Sequence, residues 1–414
     1  MKKYILLMFA IGILFIGIYS YLYIKGQITS YEHKVVICIP VYGQSLALGE
    51  EATRITDFDS LRLKYKGRIV NENLDYQFGG YSDKKWKRFL KRLFNYHSRS
   101  FELSLYSMAE TLSSELGEDT IICIFPGGMG ETPIYKLSKQ YGWVYQVLLS
   151  DIKNAYETAK KRGWDFHVPA ICWMQGESDI VEYTYYNYKE KLKQISTDFN
   201  KDIKDITQQK EDIIFICYQS NALTKAEKFN AEEYYCIETR VAQGTLELIR
   251  DDSLFWASGP TYPYHFVNEK IHIDAVGQQQ IGKLEANAVL NILRNREKTH
   301  GVIPISLSVD NQTVTVHMTV PQPPLTFDTI SIKPIKNYGF SVITPEGEDI
   351  ASHVMIEEEN LIKIYCSQLP VGCKIRYAVN GEKGKSGFEH GPRGNLRDSH
   401  PLRNWCYQFD LLSE

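Results

Sequence analysis

Five short, uninterrupted apolar runs, spaced so that a helical pattern fits between each pair, constrain this chain most. They are Lys34–Pro40 (KVVICIP), Thr120–Phe125 (TIICIF), Val168–Trp173 (VPAICW), Ile213–Tyr218 (IIFICY) and Leu254–Ala257 (LFWA). A strand that is apolar on both sides must be covered on both faces, which is the condition of a parallel sheet. Helical periodicity falls near Leu103–Leu116, Trp143–Lys161, Asn187–Ile206, Glu232–Ile249 and Val276–Arg294. Strand and helix therefore alternate, and the expected fold is a three-layer α/β/α domain over residues 31–297.

From about Val302 the pattern changes. VTVHMTV, TISIKPI, IKIYCS and KIRYAV alternate apolar with polar residues and are separated by Pro, Gly and Asn. An all-β, sandwich-like module over residues 302–414 is expected. Within it, GPRGNLRDS (Gly391–Ser399) is read as a rigid domain-docking loop.

The N-terminus carries a different signal. Lys2 and Lys3 precede Tyr4–Ile24, which contains no charge. A membrane span needs about 20 such residues. No A-x-A cleavage pattern follows, so residues 1–28 are read as an uncleaved anchor rather than a signal peptide. The paired lysines place the N-terminus inside, which puts the later domains outside the cytoplasm, in the periplasm or at the cell surface. Secretion after signal cleavage is the alternative.

Eight cysteines would permit disulfides in that compartment. Cys38, Cys123, Cys172 and Cys217 lie inside the apolar runs, where a free thiol acts as a small hydrophobe. Cys366 and Cys373 flank a turn-like Leu-Pro-Val-Gly and could pair across a hairpin. KKWKRFLKR carries Lys84, Lys85, Lys87, Arg88, Lys91 and Arg92. It is read as a solvated helix, with membrane or anionic-glycan contact as alternatives. The net charge of −3 gives no general attraction to nucleic acid.

In an open α/β sheet, ligands bind beyond the carboxyl ends of the strands. VYGQSLALG, with Ser45, follows the first run. PGGMGETPI, with Gly127, Gly128 and Gly130, follows the second, and WMQGESD follows the third. NEKIHIDAVG, with Glu269 and His272, comes after the last. Taken singly, each has an ordinary structural explanation: a serine at a helix cap, a tight glycine turn, a histidine on the surface. Together they supply what acyl transfer from an ester requires. A serine hydroxyl needs a base, which His272 provides. A carboxylate must fix the imidazole tautomer. Glu269, three residues before the histidine, is assigned that place, and Asp274 is assigned the N-cap of the following helix. The tetrahedral oxyanion needs donors, and the backbone N–H groups of Ser45 and Gly130 and the Gln175 amide are the candidates. Gln44, Thr132, Glu177, Asp179 and Tyr262, within or beside the same motifs, are candidates for contacting substrate or supporting the site. No His/Cys spacing suits a metal, and no cofactor motif occurs.

GQSLALG, GMGETPI, WMQGESD and GPTYPYHFVNEKIHIDAVGQQQIG stand in the order seen in the sialate O-acetylesterase branch of the SGNH (GDSL-like) hydrolases. The chain resembles that family over most of residues 34–290. The resemblance implies Ser45 as nucleophile, His272 as base, Gly130 and Gln175 as oxyanion donors, an acetylated-sugar substrate and no metal. Two positions depart from the family pattern. Glu269 stands where the family usually has Asp, and Gly130-Glu131-Thr132 where it usually has Gly-Gly-Thr, which leaves Gly128 as an alternative oxyanion donor. Rival expectations are a non-catalytic glycan-binding protein on the same fold, an esterase or lipase-like enzyme for other acyl chains, and a metallohydrolase.

Overall fold

The structure, a computed structural model, describes residues 33–70, 101–181, 187–221, 231–382 and 384–413. The Tyr4–Ile24 segment and the basic stretch 84–92 lie outside them. Among the described residues, no helix is long and apolar enough to cross a membrane.

Strands β1 (Val35–Gly43), β2 (Ile69–Val70), β3 (Thr120–Gly128), β5 (Ala170–Met174), β6 (Ile214–Gln219) and β7 (Phe255–Pro260) form a sheet in the order β2-β3-β1-β5-β6-β7. Short β4 (Asp165–His167) also pairs with β1, and every pairing is parallel. Side-chain alternation along β1 feeds two cores. Val36, Cys38 and Tyr42 pack on one face, against helices Trp143–Lys161 and Tyr188–Thr207. Ile37, Ile39 and Val41 pack on the other, against helices Ser104–Glu115 and Ala275–Leu293. Both faces are dry because both are apolar, so the three-layer expectation holds residue by residue.

The order reverses at β1: the chain moves to β3 on one side and to β5 on the other. A crevice opens at such a switch point. Gly43 lies level with Gly128 on β3 and with Met174 on β5, so the first three motifs leave the sheet at one height. Glycine is required at two of these positions. A Cβ on Gly43 would sit 1.9 Å from the Met174 carbonyl oxygen, and one on Gly128 would sit 2.0 Å from that of Gly43.

The C-terminal region forms antiparallel sheets. β8 (Ile303–Asp310), β9 (Thr313–Thr319), β12 (Ala351–Glu358) and β13 (Leu361–Cys366) form one, in the order β12-β13-β9-β8. β11 (Phe340–Ile343), β14 (Lys374–Tyr377) and β16 (Phe409–Leu412) form another, in the order β11-β14-β16, and β10 (Thr326–Phe327) pairs with β15 (Leu396–Arg397). Their apolar faces share a single core with the Trp143–Lys161 face of the α/β domain. The junction is polar as well as apolar. Gln219 and Gln408 exchange two hydrogen bonds, Gln408 N–H to Gln219 Oε1 at 2.7 Å and Gln219 Nε2 to the Gln408 carbonyl at 2.9 Å. Tyr407 Oη accepts from Gly259 N–H at 2.7 Å.

Three expectations for this region need correction. TISIKPI is not a strand. Ile332 is fully buried but Ile330 is 97% exposed, and the chain turns through the segment. Its carbonyls at Ile332, Lys333 and Pro334 are taken by Asn395 and Arg393. GPRGNLRDS is thus an internal brace of the β module rather than a loop docked on the α/β domain. Cys366 and Cys373 are free thiols. Cys366 ends β13 while Cys373 leads into β14 of the other sheet, so the turn between them does not close a hairpin.

Candidate active site

Ser45 begins a single 3₁₀ turn, Ser45–Leu48, directly after β1. Gly49 ends the turn in the left-handed region, at φ 66°. A Cβ there would also strike the Glu102 carbonyl at 2.0 Å, so no other residue fits. The chain then doubles back: Glu50 N–H bonds the Ser45 carbonyl at 3.0 Å, and Glu51 is itself left-handed, at φ 63°. Gln278 Nε2 holds the turn from beneath, through the Leu46 carbonyl at 2.9 Å.

His272 sits on one arm of a small hairpin. Asp274 N–H bonds the His265 carbonyl at 2.9 Å, Val267 N–H bonds the His272 carbonyl at 2.7 Å, and Phe266 bridges Ile273. His272 Nε2 lies 2.8 Å from Ser45 Oγ, and its Nδ1 lies 2.7 Å from Glu51 Oε2. The Ser45 side is closed to solvent, at 3% exposure, while the Glu51 side chain is half exposed. This is the order of groups that hydroxyl activation needs: nucleophile, base and a carboxylate fixing the tautomer.

The carboxylate is Glu51, not Glu269. The hairpin closes so tightly that Glu269 sits at its tip, with Asn268 and Glu269 both left-handed at φ 55° and 54°. From there its carboxylate meets Lys385 and His390 of the C-terminal module. Those two partners hold the Glu269 carboxyl below the usual carboxylate range. Asp274 caps helix Ala275–Leu293, accepting from Gly277 N–H at 2.8 Å, as its spacing suggested. Sequence offered one sign of Glu51: an acid two residues beyond a glycine that must reverse the chain.

Gly130 lies beside the serine: a Cβ on it would come 3.9 Å from Ser45 Cβ. Ser45 and Gly130 N–H have no acceptor among the described residues, which leaves them available as oxyanion donors. Gly128 needs no such role, because its close approach to Gly43 already accounts for it. Gln175 is arranged differently from expectation. Its Nε2 donates to the Thr132 carbonyl at 3.1 Å and to Asp179, so both hydrogens are committed. Oε1 alone is without a partner, and an acceptor cannot stabilise an oxyanion.

The remaining candidates support the loops. Gln44 Oε1 accepts from Ser178 N–H at 3.2 Å, tying the first motif to the third. Asp179 accepts from Ile134 N–H at 2.8 Å and Thr132 Oγ1 donates to the Gly130 carbonyl at 3.0 Å, which together shape the Gly130 loop. Glu177 is buried beneath the site with Tyr218 Oη against both its oxygens, at 2.9 and 2.8 Å. Burial raises its carboxyl above the usual range. Tyr262 is not a substrate contact. It is fully buried at the module junction and donates to the Cys406 carbonyl at 2.7 Å. Among the described residues, Glu269, Glu389 and His390 could bring ligand atoms within 4.8 Å of one another. Glu269 there already neutralises the Lys385 ammonium, which would repel a metal ion.

Residues 104–291 match the family described as carbohydrate esterase, sialic acid-specific acetylesterase (SASA). The match covers fewer than half of the 414 residues, begins after Ser45, and includes Gly130, Gln175, Glu177 and His272. It supports a carboxylic ester hydrolase. A carbohydrate acetylesterase from Xanthomonas citri is similar in fold, with TM-score 0.58 and 12% identity over 91% of this chain and 80% of that one. More loosely similar are a protein from Arabidopsis thaliana, with TM-score 0.43 and 14% identity over 63% and 99% of the two chains, and NanS, with TM-score 0.42 and 15% identity over 64% and 99%. No curated protein matches the sequence.

Proposed function

We propose that the protein removes O-acetyl groups from sugars by a serine mechanism. The observation that carries this reading is the relay in which Ser45 Oγ meets His272 Nε2 at 2.8 Å and Glu51 meets Nδ1 at 2.7 Å. His272 takes the Ser45 proton as Oγ attacks the acetyl carbonyl. The Ser45 and Gly130 N–H groups receive the oxyanion, and His272 returns the proton to the leaving sugar oxygen. Water, deprotonated by His272, then attacks the acetyl-serine, and His272 returns that proton to Ser45 Oγ as acetate leaves. Ser45 needs no ion for this, since the imidazole supplies the base.

The acetyl preference is supported by the SASA match. The test is acetate release from a panel of O-acetylated sugars, neutral and sialic, alongside esters of longer acyl chains. Acetylated sugars should be turned over fastest, and Ser45→Ala should abolish release. Faster turnover of long-chain esters would overturn the substrate class. Residual full activity in Ser45→Ala would overturn the mechanism. The uncharged Tyr4–Ile24 run supports placing this activity on a membrane, with the enzyme outside the cytoplasm.

A further inference from the structure

We propose that the C-terminal β module positions the catalytic histidine, by clamping the hairpin His265–Asp274 at its tip through Glu269. The inference rests on the Ser45–His272 reading above. The tip needs holding: two successive non-glycine residues, Asn268 and Glu269, are left-handed, a conformation such residues resist. The module supplies the hold from one short segment. Ser386 N–H donates to the Glu269 carbonyl at 2.9 Å, Lys385 Nζ takes one carboxylate oxygen and His390 Nδ1 the other. Gly387 is pressed onto the same hairpin, where a Cβ would come 2.9 Å from the Tyr264 carbonyl oxygen and 3.1 Å from the Phe266 ring. His272 is three residues from the clamped tip and is bonded across the hairpin to Val267. Backbone, charge and close packing therefore converge on the loop that carries the base. Glu269, Lys385 and His390 are positioning residues. None meets Ser45, and all act through the hairpin.

The consequence is kinetic. A displacement of about 1 Å in a reacting group can cost about 100-fold. The Glu269→Gln, Lys385→Met and Lys385→Arg variants of the full chain test the proposal. Readouts are kcat and KM on an acetylated sugar, and the rate at which a fluorophosphonate labels Ser45. Glu269→Gln and Lys385→Met should lower kcat and labelling by about 10-fold, with KM within about 2-fold and the melting temperature nearly unchanged. Lys385→Arg should restore most of the rate, because it returns a cation to the same carboxylate. Wild-type kcat and labelling in both deficient variants would overturn the clamp. So would a Glu269→Gln loss as deep as that of Glu51→Gln with Lys385→Met unaffected, since Glu269 would then serve the histidine directly. A different result marks failure of the functional reading itself: Ser45 unlabelled in the wild type, with Ser45→Ala still active.

Discussion

Replacing Glu51 by Gln keeps the shape of the side chain and removes its charge. The amide can still accept from His272 Nδ1, so the tautomer survives. What is lost is the attraction between the carboxylate and the imidazolium that forms when His272 takes the Ser45 proton. In the structure the contact is 2.7 Å, which puts the charge centres about 4 Å apart. Two unit charges at about 4 Å attract by about 4 kcal/mol at an effective dielectric of about 20, and by about 1 kcal/mol in bulk water. The Glu51 side chain is half exposed while His272 is 14% exposed, so the pair belongs between these limits. A loss of about 2–3 kcal/mol in the transition state corresponds to about 30- to 150-fold in kcat. That is less than the roughly 10⁴ for a buried aspartate in a serine protease, where the amide imposes the wrong imidazole tautomer. The assay is steady-state acetate release across pH, with labelling of Ser45 as a check on folding. KM should stay within about 2-fold, because Glu51 acts on the transition state and not on the bound sugar. Glu51→Gln with wild-type kcat, beside an inactive Glu269→Gln, would refute the reasoning and return the acid to the hairpin.

Ser45→Ala should lose several orders of magnitude in turnover with an unchanged melting temperature, and a fluorophosphonate should label no other serine. Asp274→Ala should cost about 1 kcal/mol of stability in denaturant titration and retain most activity, since the carboxylate serves helix Ala275–Leu293. Glu285→Gln should stabilise the protein increasingly as pH rises. Burial pushes the Glu285 carboxyl up to about 8, against the smaller opposing pull of the neighbouring Ser104 hydroxyl and Cys172 thiol. A raised carboxyl pKa gives stability that is complete below its unfolded value, near 4.5, and is lost progressively up to the folded value. The variant should therefore gain up to about 3 kcal/mol at pH 7 and nothing at pH 4, and equal gains at both would contradict this origin. If Tyr4–Ile24 anchors the chain, alkaline carbonate should leave the enzyme in the membrane fraction, and protease outside spheroplasts should digest it. A mature N-terminus near residue 28 would end that proposal.

The α/β layers were legible because parallel strands buried on both faces leave short continuous apolar runs, such as Ile122–Phe125, spaced by helical patterns. The convergence of Ser45, Gly130 and His272 followed from that sheet, since its strand ends share one edge. What failed depended on turns. Counting three residues back from His272 selects Glu269, but a hairpin with a two-residue left-handed tip points that side chain away. The nearer acid, Glu51, is distant in sequence and is delivered by the reversal at Gly49. Gln175 was misjudged because sequence shows an amide but not that Asp179 and Thr132 exhaust its donors. TISIKPI alternates like a strand, yet alternation also arises where one isoleucine is buried beneath a turn and another faces water. Tyr262 stands beside the histidine motif in sequence, and only the packed junction shows that its side chain faces the β module and not the site.

The reciprocal amide pair between Gln219 and Gln408 bears on how the chain comes together. Until the segment 405–410 arrives, Gln219 Oε1, one Gln219 Nε2 hydrogen, Asn221 Nδ2 and the Gly259 N–H, at the ends of β6 and β7, lack the partners that segment supplies. That segment is made more than a hundred residues after the sheet itself is finished. A ribosome-bound chain can collapse its α/β layers early, but it cannot seal that edge by itself. Synthesis halted before residue 405 should therefore leave that end of the sheet open to water until the β module docks.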